Sequence, residues 1–219
     1  MTDRTIYLLS PTPKEGTESL PMIRFQTTAD HLELSSCDTL MFTSKQAVKT
    51  ADRIDKRWKN YPSIAIGGAT KKQIEELGGS VIYHPKNFYG EVLSRDIADF
   101  FSDRKILYLR PKEVSFDAKR YLAKENIELL EQVIYQTDCV SYGCSDAPVK
   151  GAIIIFTSPS TIHCFFKNFD WDPSYTAVVI GESTKVHLPP NVEFAVAQKP
   201  LIASCIEKAQ EILITSNSK

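Results

Sequence analysis

The chain has 219 residues, a formal net charge of −1 and 42% hydrophobic residues. That length fits one large domain or two small ones, and two of roughly 100 residues would each hold a core. The charge balance excludes general nucleic-acid binding, which needs a positive footprint, and no apolar run approaches the ~20 residues of a membrane span. In chain order, Ile6 to Leu9 reads as a first strand, closed by Ser10-Pro11. Thr12 to Thr17 carries two breakers and leaves room for one helical turn at most. Pro21 to Thr27 is a second extended run, and Asp30 to Asp38 reads as a linker with a short helix. A strand follows at Thr39 to Phe42. The helix after it, Lys45 to Trp58, sets Ala47, Val48, Ala51 and Ile54 on one face. Ser63 to Ile66 is the next strand, and Thr70 to Leu77 a helix ended by Gly78-Gly79. Val81 to Tyr83 is a short strand, followed by a helix over Tyr89 to Phe101.

The second half runs similarly. Lys105 to Leu109 is a strand, Ser115 to Asn126 a helix, and Ile127 to Tyr135 an extended run. Asp138 to Lys150 is polar and reads as a crossing plus a loop. Ala152 to Phe156 is an apolar run, Ser160 to Phe166 a helix, Ala177 to Ile180 a strand and Thr184 to Leu188 a helix stopped by Pro189-Pro190. Val192 to Val196 is a strand. Leu201 to Leu213 is an amphipathic helix, with a frayed tail over Thr215 to Lys219. Five cysteines, Cys37, Cys139, Cys144, Cys164 and Cys205, form no CxxC pair and read as reduced thiols. His31, His84, His163 and His187 show no ligand spacing, so no metal site is expected. The N-terminus lacks the apolar stretch and cleavage site of a signal peptide, which points to the cytoplasm.

Two stretches recur. Leu40-Met41-Phe42-Thr43-Ser44 matches Ile154-Ile155-Phe156-Thr157-Ser158, and Ile66 to Lys71 matches Ile180 to Lys185. Both pairs share one offset of 114 positions, so the chain reads as one pattern of strand-then-helix steps written twice. Looser echoes link Ile6 to Pro11 with Ile106 to Pro111, and Phe25-Gln26-Thr27 with Tyr135-Gln136-Thr137. Apolar runs broken by small hydroxyl turns are the βα units of an open parallel sheet. Ligands bind such sheets at the carboxyl ends of the strands.

These motifs, in this order, resemble uroporphyrinogen-III synthase. Phe42 to Val48 is similar to that family's first FTS turn, and Ile66 to Thr70 to its glycine-threonine turn. Val133-Ile134-Tyr135-Gln136-Thr137 is similar to its VYxT strand. Phe156 to Ser160 and Ile180 to Thr184 are similar to its FTSPS and IGxxT turns, and Lys199-Pro200 to the start of its last segment. The resemblance spans roughly Thr39 to Leu213. It implies two flavodoxin-like α/β domains with parallel sheets, joined by two extended crossings with the active-site cleft between them. One domain, residues 1–25 plus 140–219, is discontinuous; the other, 28–135, is inserted; the linkers are 24–30 and 135–141. The family usually places a full helix between its first two strands. Only Thr12 to Leu20 is available here, so the N-terminal half-domain is abbreviated.

The resemblance also implies the reaction. The substrate is hydroxymethylbilane, an open-chain tetrapyrrole with eight carboxylates. The enzyme, a lyase, expels the terminal hydroxyl, inverts the last pyrrole through a spiro intermediate and closes the ring to uroporphyrinogen III. No cofactor or metal is called for. The implied partners are this small molecule, with no nucleic acid and no membrane. The chain is expected to be a monomer in transient contact with the preceding pathway enzyme. Carried over residue by residue, the substrate-binding set is Thr43, Ser44, Gly67, Thr70 and Arg110, with Ser158, Ser160, Gly181, Ser183 and Thr184. Hydroxyl turns at helix starts suit a polyanion, because backbone N–H groups and the helix dipole both favour negative charge there. N-capping alone also explains the same hydroxyls. Lys45, Lys71 and Lys185 sit just inside helices, where they add charge or simply face solvent. Tyr135 is the expected catalytic residue: a phenol stays protonated at pH 7 and can assist a departing hydroxyl. Two other readings share these features. One is a binding protein that closes on an anionic metabolite without chemistry. The other is a flavodoxin-type electron carrier, for which Ser10-Pro11-Thr12-Pro13 makes a poor phosphate cradle because proline lacks an N–H.

Overall fold

The computed structural model describes residues 4–217. The chain divides into two compact units: residues up to Arg24 together with those from Asp138 onward, and Phe25–Thr137. Both are α/β, with seven α-helices in all among the described residues.

The discontinuous unit carries a five-stranded parallel sheet. Its strands are β1 (Ile6–Leu8), β2 (Glu18–Ser19), β9 (Ile153–Phe156), β10 (Thr176–Val179) and β11 (Phe194–Val196), in the order β11-β10-β9-β1-β2. β9 and β10 are buried at every residue, as strands covered on both faces must be. Helices α5 (Pro159–Asn168), α6 (Glu182–Lys185) and α7 (Ile202–Asn217) supply the cover. From α7, Cys205 and Ala209 pack with Leu8, Ile153 and Val178.

The inserted unit carries a six-stranded sheet. Its strands are β3 (Ile23–Thr27), β4 (Thr39–Phe42), β5 (Pro62–Ala65), β6 (Ser80–Tyr83), β7 (Ile106–Pro111) and β8 (Leu129–Cys139). The order is β3-β8-β7-β4-β5-β6. The pairs β4–β5, β4–β7, β5–β6 and β7–β8 are parallel. The edge strand β3 runs against β8: the Val140 amide donates to Met22 O, and the Thr28 amide to Ile134 O. Strand alternation builds two cores on this sheet. Leu40 and Phe42 face α1 (Lys45–Ile54) through Ala47, Val48 and Ala51. Met41 faces α3 (Gly90–Phe100) and α4 (Ala118–Lys124) through Leu93, Ile97 and Leu122.

Several boundaries differ from the sequence reading. The Lys45–Trp58 helix stops at Ile54, because Asp55 turns extended and caps a 3-10 helix over Lys56–Asn60 by accepting from the Arg57 amide. The remaining helix, α2, spans Gly68–Glu76, and both it and α6 start two residues before the expected threonines. The last helix runs through Asn217 rather than fraying from Thr215, and residues 218–219 lie outside the described part. The segment after β1 forms the two-residue strand β2 and no helix. β8 extends to Cys139, beyond the expected end of its extended run.

The cysteines need a larger correction. Cys139 and Cys164 are joined in a disulfide with a Cα–Cα distance of 5.2 Å, inside the range such a bond requires. Their separation of 25 residues carries no motif; the pairing arises because the end of β8 lies against α5. Cys37, Cys144 and Cys205 are free. Denatured, unreduced protein is therefore expected to titrate three thiols with a disulfide reagent, and five after treatment with a dithiol. Five before reduction would show that the bond does not form.

Close packing also fixes one glycine. A Cβ on Gly79 would lie 2.5 Å from the Trp58 ring and 2.9 Å from Ile74, and both side chains are fully buried. Gly79→Ala is expected to destabilise the protein by about 1–3 kcal/mol through overpacking. An unchanged melting temperature would show that the ring moves aside without cost.

Candidate functional site

Each sheet presents helix-starting turns at its carboxyl edge. In the inserted unit β4 ends at Phe42 and β5 at Ala65, and these neighbouring strands release Thr43-Ser44 and Gly67 to Thr70 on one edge. In the discontinuous unit the neighbours β9 and β10 release Ser158 to Ser160 and Gly181 to Thr184. The 114-residue repeat thus reappears as the same two turns on two different sheets.

The hydroxyls within these turns do different work. Ser44 and Ser158 are true N-caps: Ser44 Oγ accepts from the Ala47 amide at 3.0 Å, and Ser158 Oγ from the Thr161 amide at 3.3 Å. Thr70 and Thr184 are not caps. The N-cap positions are Gly67 and Gly181, and the two threonines sit one turn in, buried, with their amides donating to those glycine carbonyls. Ser160 and Ser183 are exposed. Gly67 is buried beneath Phe88, whose ring occupies the space a Cβ would need. Lys71 pairs with Glu75 and Lys185 with Glu182 within their own helices, while Lys45 is exposed.

A buried side-chain constellation lies at the Thr43-Ser44 turn. Tyr135 is 4% exposed, and its hydroxyl sits 2.9 Å from Ser44 Oγ. Its ring meets Phe25 edge-on, with centroids 5.8 Å apart. A second phenol, Tyr108, is 3% exposed and lies 2.6 Å from Thr43 Oγ1. Strand period explains the pairing. Met41 is opposite Tyr108 in the β4–β7 register, and Thr43 follows Met41 on its face, whereas Ser44 follows Phe42 on the other. The sequence reading missed Tyr108; its one cue was a hydroxyl in an otherwise aliphatic buried strand.

Arg110, next along β7, is committed nearby. Its Nε is 3.5 Å from Glu131 Oε1, an ion pair without hydrogen-bond geometry, and its Nη2 donates to Lys112 O at 3.4 Å. With Ser115, Asp117, Lys119 and Arg120 it lines a cavity of about 740 Å³ in the inserted unit. Any anion reaching this guanidinium competes with Glu131.

Burial raises both phenols. Desolvation lifts Tyr135 above its ordinary value and pushes Tyr108 up to about 12; the Ser44 and Thr43 hydroxyls, which turn to donate once a phenolate forms, oppose the rise, as does Arg110 at Tyr108. Both stay protonated at neutral pH. Below pH ~10 the native and unfolded chains hold this proton alike, so Tyr108's contribution to stability is complete there. Above pH ~10 the unfolded phenol ionises first, and stability is lost as the pH rises towards about 12. Absorbance titration of native protein is expected to show at least one tyrosine ionising near 12. Uniform titration near 10 would contradict the burial.

Two α/β units with mostly parallel sheets, each presenting paired helix-starting turns at one carboxyl edge, define a duplicated flavodoxin-like protein. The uroporphyrinogen-III synthase HemD family model matches residues 17–207, and the chain belongs to that family, whose members are cyclising lyases of tetrapyrrole synthesis. Among solved structures, uroporphyrinogen-III synthetase from Helicobacter pylori superposes with a TM-score of 0.78 at 24% identity, covering 95% of this chain and 99% of that one. A mutant uroporphyrinogen III synthase from Thermus thermophilus gives 0.61 at 11% identity, covering 97% and 99%. Its wild-type form gives 0.52 at 10%, covering 99% and 100%. No curated relative matches the chain. Membership in an enzyme family sets aside the reading as a binding protein without chemistry. No helix among the described residues is long and apolar enough to cross a membrane.

Proposed function

We propose that this chain performs its family's cyclisation of hydroxymethylbilane with Tyr135 and Ser44 at its chemical centre. The observation that carries this is the 2.9 Å contact between the Tyr135 hydroxyl and Ser44 Oγ at the end of β4. Tyr135 is too buried to meet a substrate broadly, while Ser44 is half-exposed. Ser44 therefore gives its proton to the departing hydroxyl, which leaves as water, and takes the Tyr135 proton in the same step. Rearomatisation of the last pyrrole releases a proton that restores the phenol. The exchange needs no net acid, so atoms and charge balance over one turnover. Binding falls to Thr43, Gly67, Thr70 and Arg110 in the inserted unit, and to Ser158, Ser160, Gly181, Ser183 and Thr184 in the discontinuous one. Helix-start N–H groups at these turns favour the substrate's carboxylates. The protein acts as a cytoplasmic monomer, in transient contact with the enzyme that supplies its unstable substrate.

Incubation with enzymatically made hydroxymethylbilane, followed by separation of isomers, tests the reading. Type III product is expected; type I alone, as in spontaneous closure, would sink it. Tyr135→Phe keeps the ring and removes the relay's proton source. We expect kcat to fall about tenfold to a hundredfold, the low end of general-acid assistance, because the pyrrole nitrogen itself stabilises the cation left behind. The product should stay type III, since the shape of the bound chain dictates inversion. A folded Tyr135→Phe with unchanged kcat would remove the phenol from the mechanism.

A further inference from the structure

Tyr108 has no role in the proton relay, yet its phenol is placed as carefully as that of Tyr135. We propose that Tyr108 is a positioning residue that makes the Thr43 hydroxyl a dedicated donor to a substrate carboxylate. This rests on the site reading above and deepens it.

The direction of the Tyr108–Thr43 hydrogen bond follows from burial. Tyr108 is 3% exposed, and Thr43 is the one hydrogen-bond partner seen for its hydroxyl among the described residues. If the phenol accepted, its own proton would be buried without a partner, at a cost of roughly 1–3 kcal/mol. If it donates, the buried phenol is satisfied, and the proton left over belongs to Thr43, which is half-exposed. A phenol is also the stronger donor and weaker acceptor of the two hydroxyls. Tyr108 O–H therefore donates to Thr43 Oγ1, and the Thr43 proton is turned towards the open side of the turn.

The neighbouring residue obeys the same logic on the opposite face of the sheet. Ser44 Oγ accepts from the Ala47 amide and from the buried Tyr135 phenol. Its acceptor capacity is filled, and its own proton remains to be given. Ser44 thus has both lone pairs filled, by the Ala47 amide and a buried phenol, and Thr43 has one filled by a buried phenol, so both hydroxyls have a proton left to give. An ordinary serine or threonine is indifferent between donors and acceptors; this pair prefers an acceptor-only ligand, which a carboxylate is. Hydrogen bonds in series also polarise one another, which strengthens the outgoing donation. The chemistry that fits Thr43 is a carboxylate of the octacarboxylate substrate, and its neighbour Ser44 is left free for the leaving hydroxyl.

The test compares Tyr108→Phe, Thr43→Val, Thr43→Ser and the Tyr108→Phe/Thr43→Val double variant. KM and kcat are measured on hydroxymethylbilane. Kd is measured by fluorescence with uroporphyrin III, an octacarboxylate that requires no turnover. Loss of a hydrogen bond to a charged group amounts to about tenfold or more. Thr43→Val is expected to raise KM and Kd by that much. Tyr108→Phe leaves the hydroxyl but frees its orientation, so a rise of about threefold to tenfold is expected, with kcat within twofold of wild type. In the Thr43→Val background Tyr108→Phe should add nothing, because there is no hydroxyl left to orient. Thr43→Ser keeps a hydroxyl, so adding Tyr108→Phe to it in a second double variant should still raise KM and Kd. A folded Tyr108→Phe with wild-type KM and Kd would overturn the proposal, as would a full-sized effect persisting on top of Thr43→Val. If Tyr108→Phe does not fold, a wild-type KM in Thr43→Val overturns it alone. Failure of the wild-type protein to make type III product would instead strike the catalytic reading, while the uroporphyrin arm still reports on Thr43.

Discussion

Burial of parallel strands on both faces is the constraint from which the rest follows. β4, β9 and β10 have no exposed residue, so helices must cover each sheet above and below. A helix that returns from the carboxyl end of a buried strand must begin within a few residues of it. That requirement puts a turn with free N–H groups at the end of each central strand. The same alternation that sends Leu40 and Phe42 one way and Met41 the other continues into the turn after β4. Thr43 and Ser44 therefore meet different phenols, Tyr108 and Tyr135, from different sides of one sheet. The polar cluster is a continuation of the core's own geometry.

Much of this was legible in the chain. Runs such as Ile153 to Phe156 admit few other readings, and the shared 114-residue offset located both pairs of turns. What escaped did so for physical reasons. β2 consists of two exposed polar residues held by backbone bonds to β1, so no side-chain pattern announces it. α2 and α6 have glycine N-caps, whose role rests on backbone conformation, and the downstream threonines looked like caps because their residue type suits that role. The Cys139–Cys164 bond joins residues whose neighbourhood is created by folding alone.

The candidate site shows the same division. Ser44 and Tyr135 were separately visible as motif residues, and their contact joins them into one unit. Arg110 was visible as a cation, but not its partner Glu131 on the next strand, since β7–β8 register sets that distance. Tyr108 fell between categories: it counts as core by burial and as chemistry by its hydroxyl. A buried strand tyrosine beside a hydroxyl turn is therefore informative when the register of the neighbouring strand is known.

The antiparallel pairing of β3 with β8 bears on how such a chain assembles itself. β1 must find β9 across the entire inserted unit, with Ile6 opposite Ile153, and loop closure over such a distance is slow. The inserted unit supplies its own remedy. Once β3 and β8 pair, with Gln26 against Gln136 and Met22 O receiving the Val140 amide, the two ends of the insertion are neighbours. From then on the outer halves of the chain search for each other as if joined by a short hairpin. Topology thereby lets the interrupted sheet close over a tether that the pairing of β3 with β8 shortens.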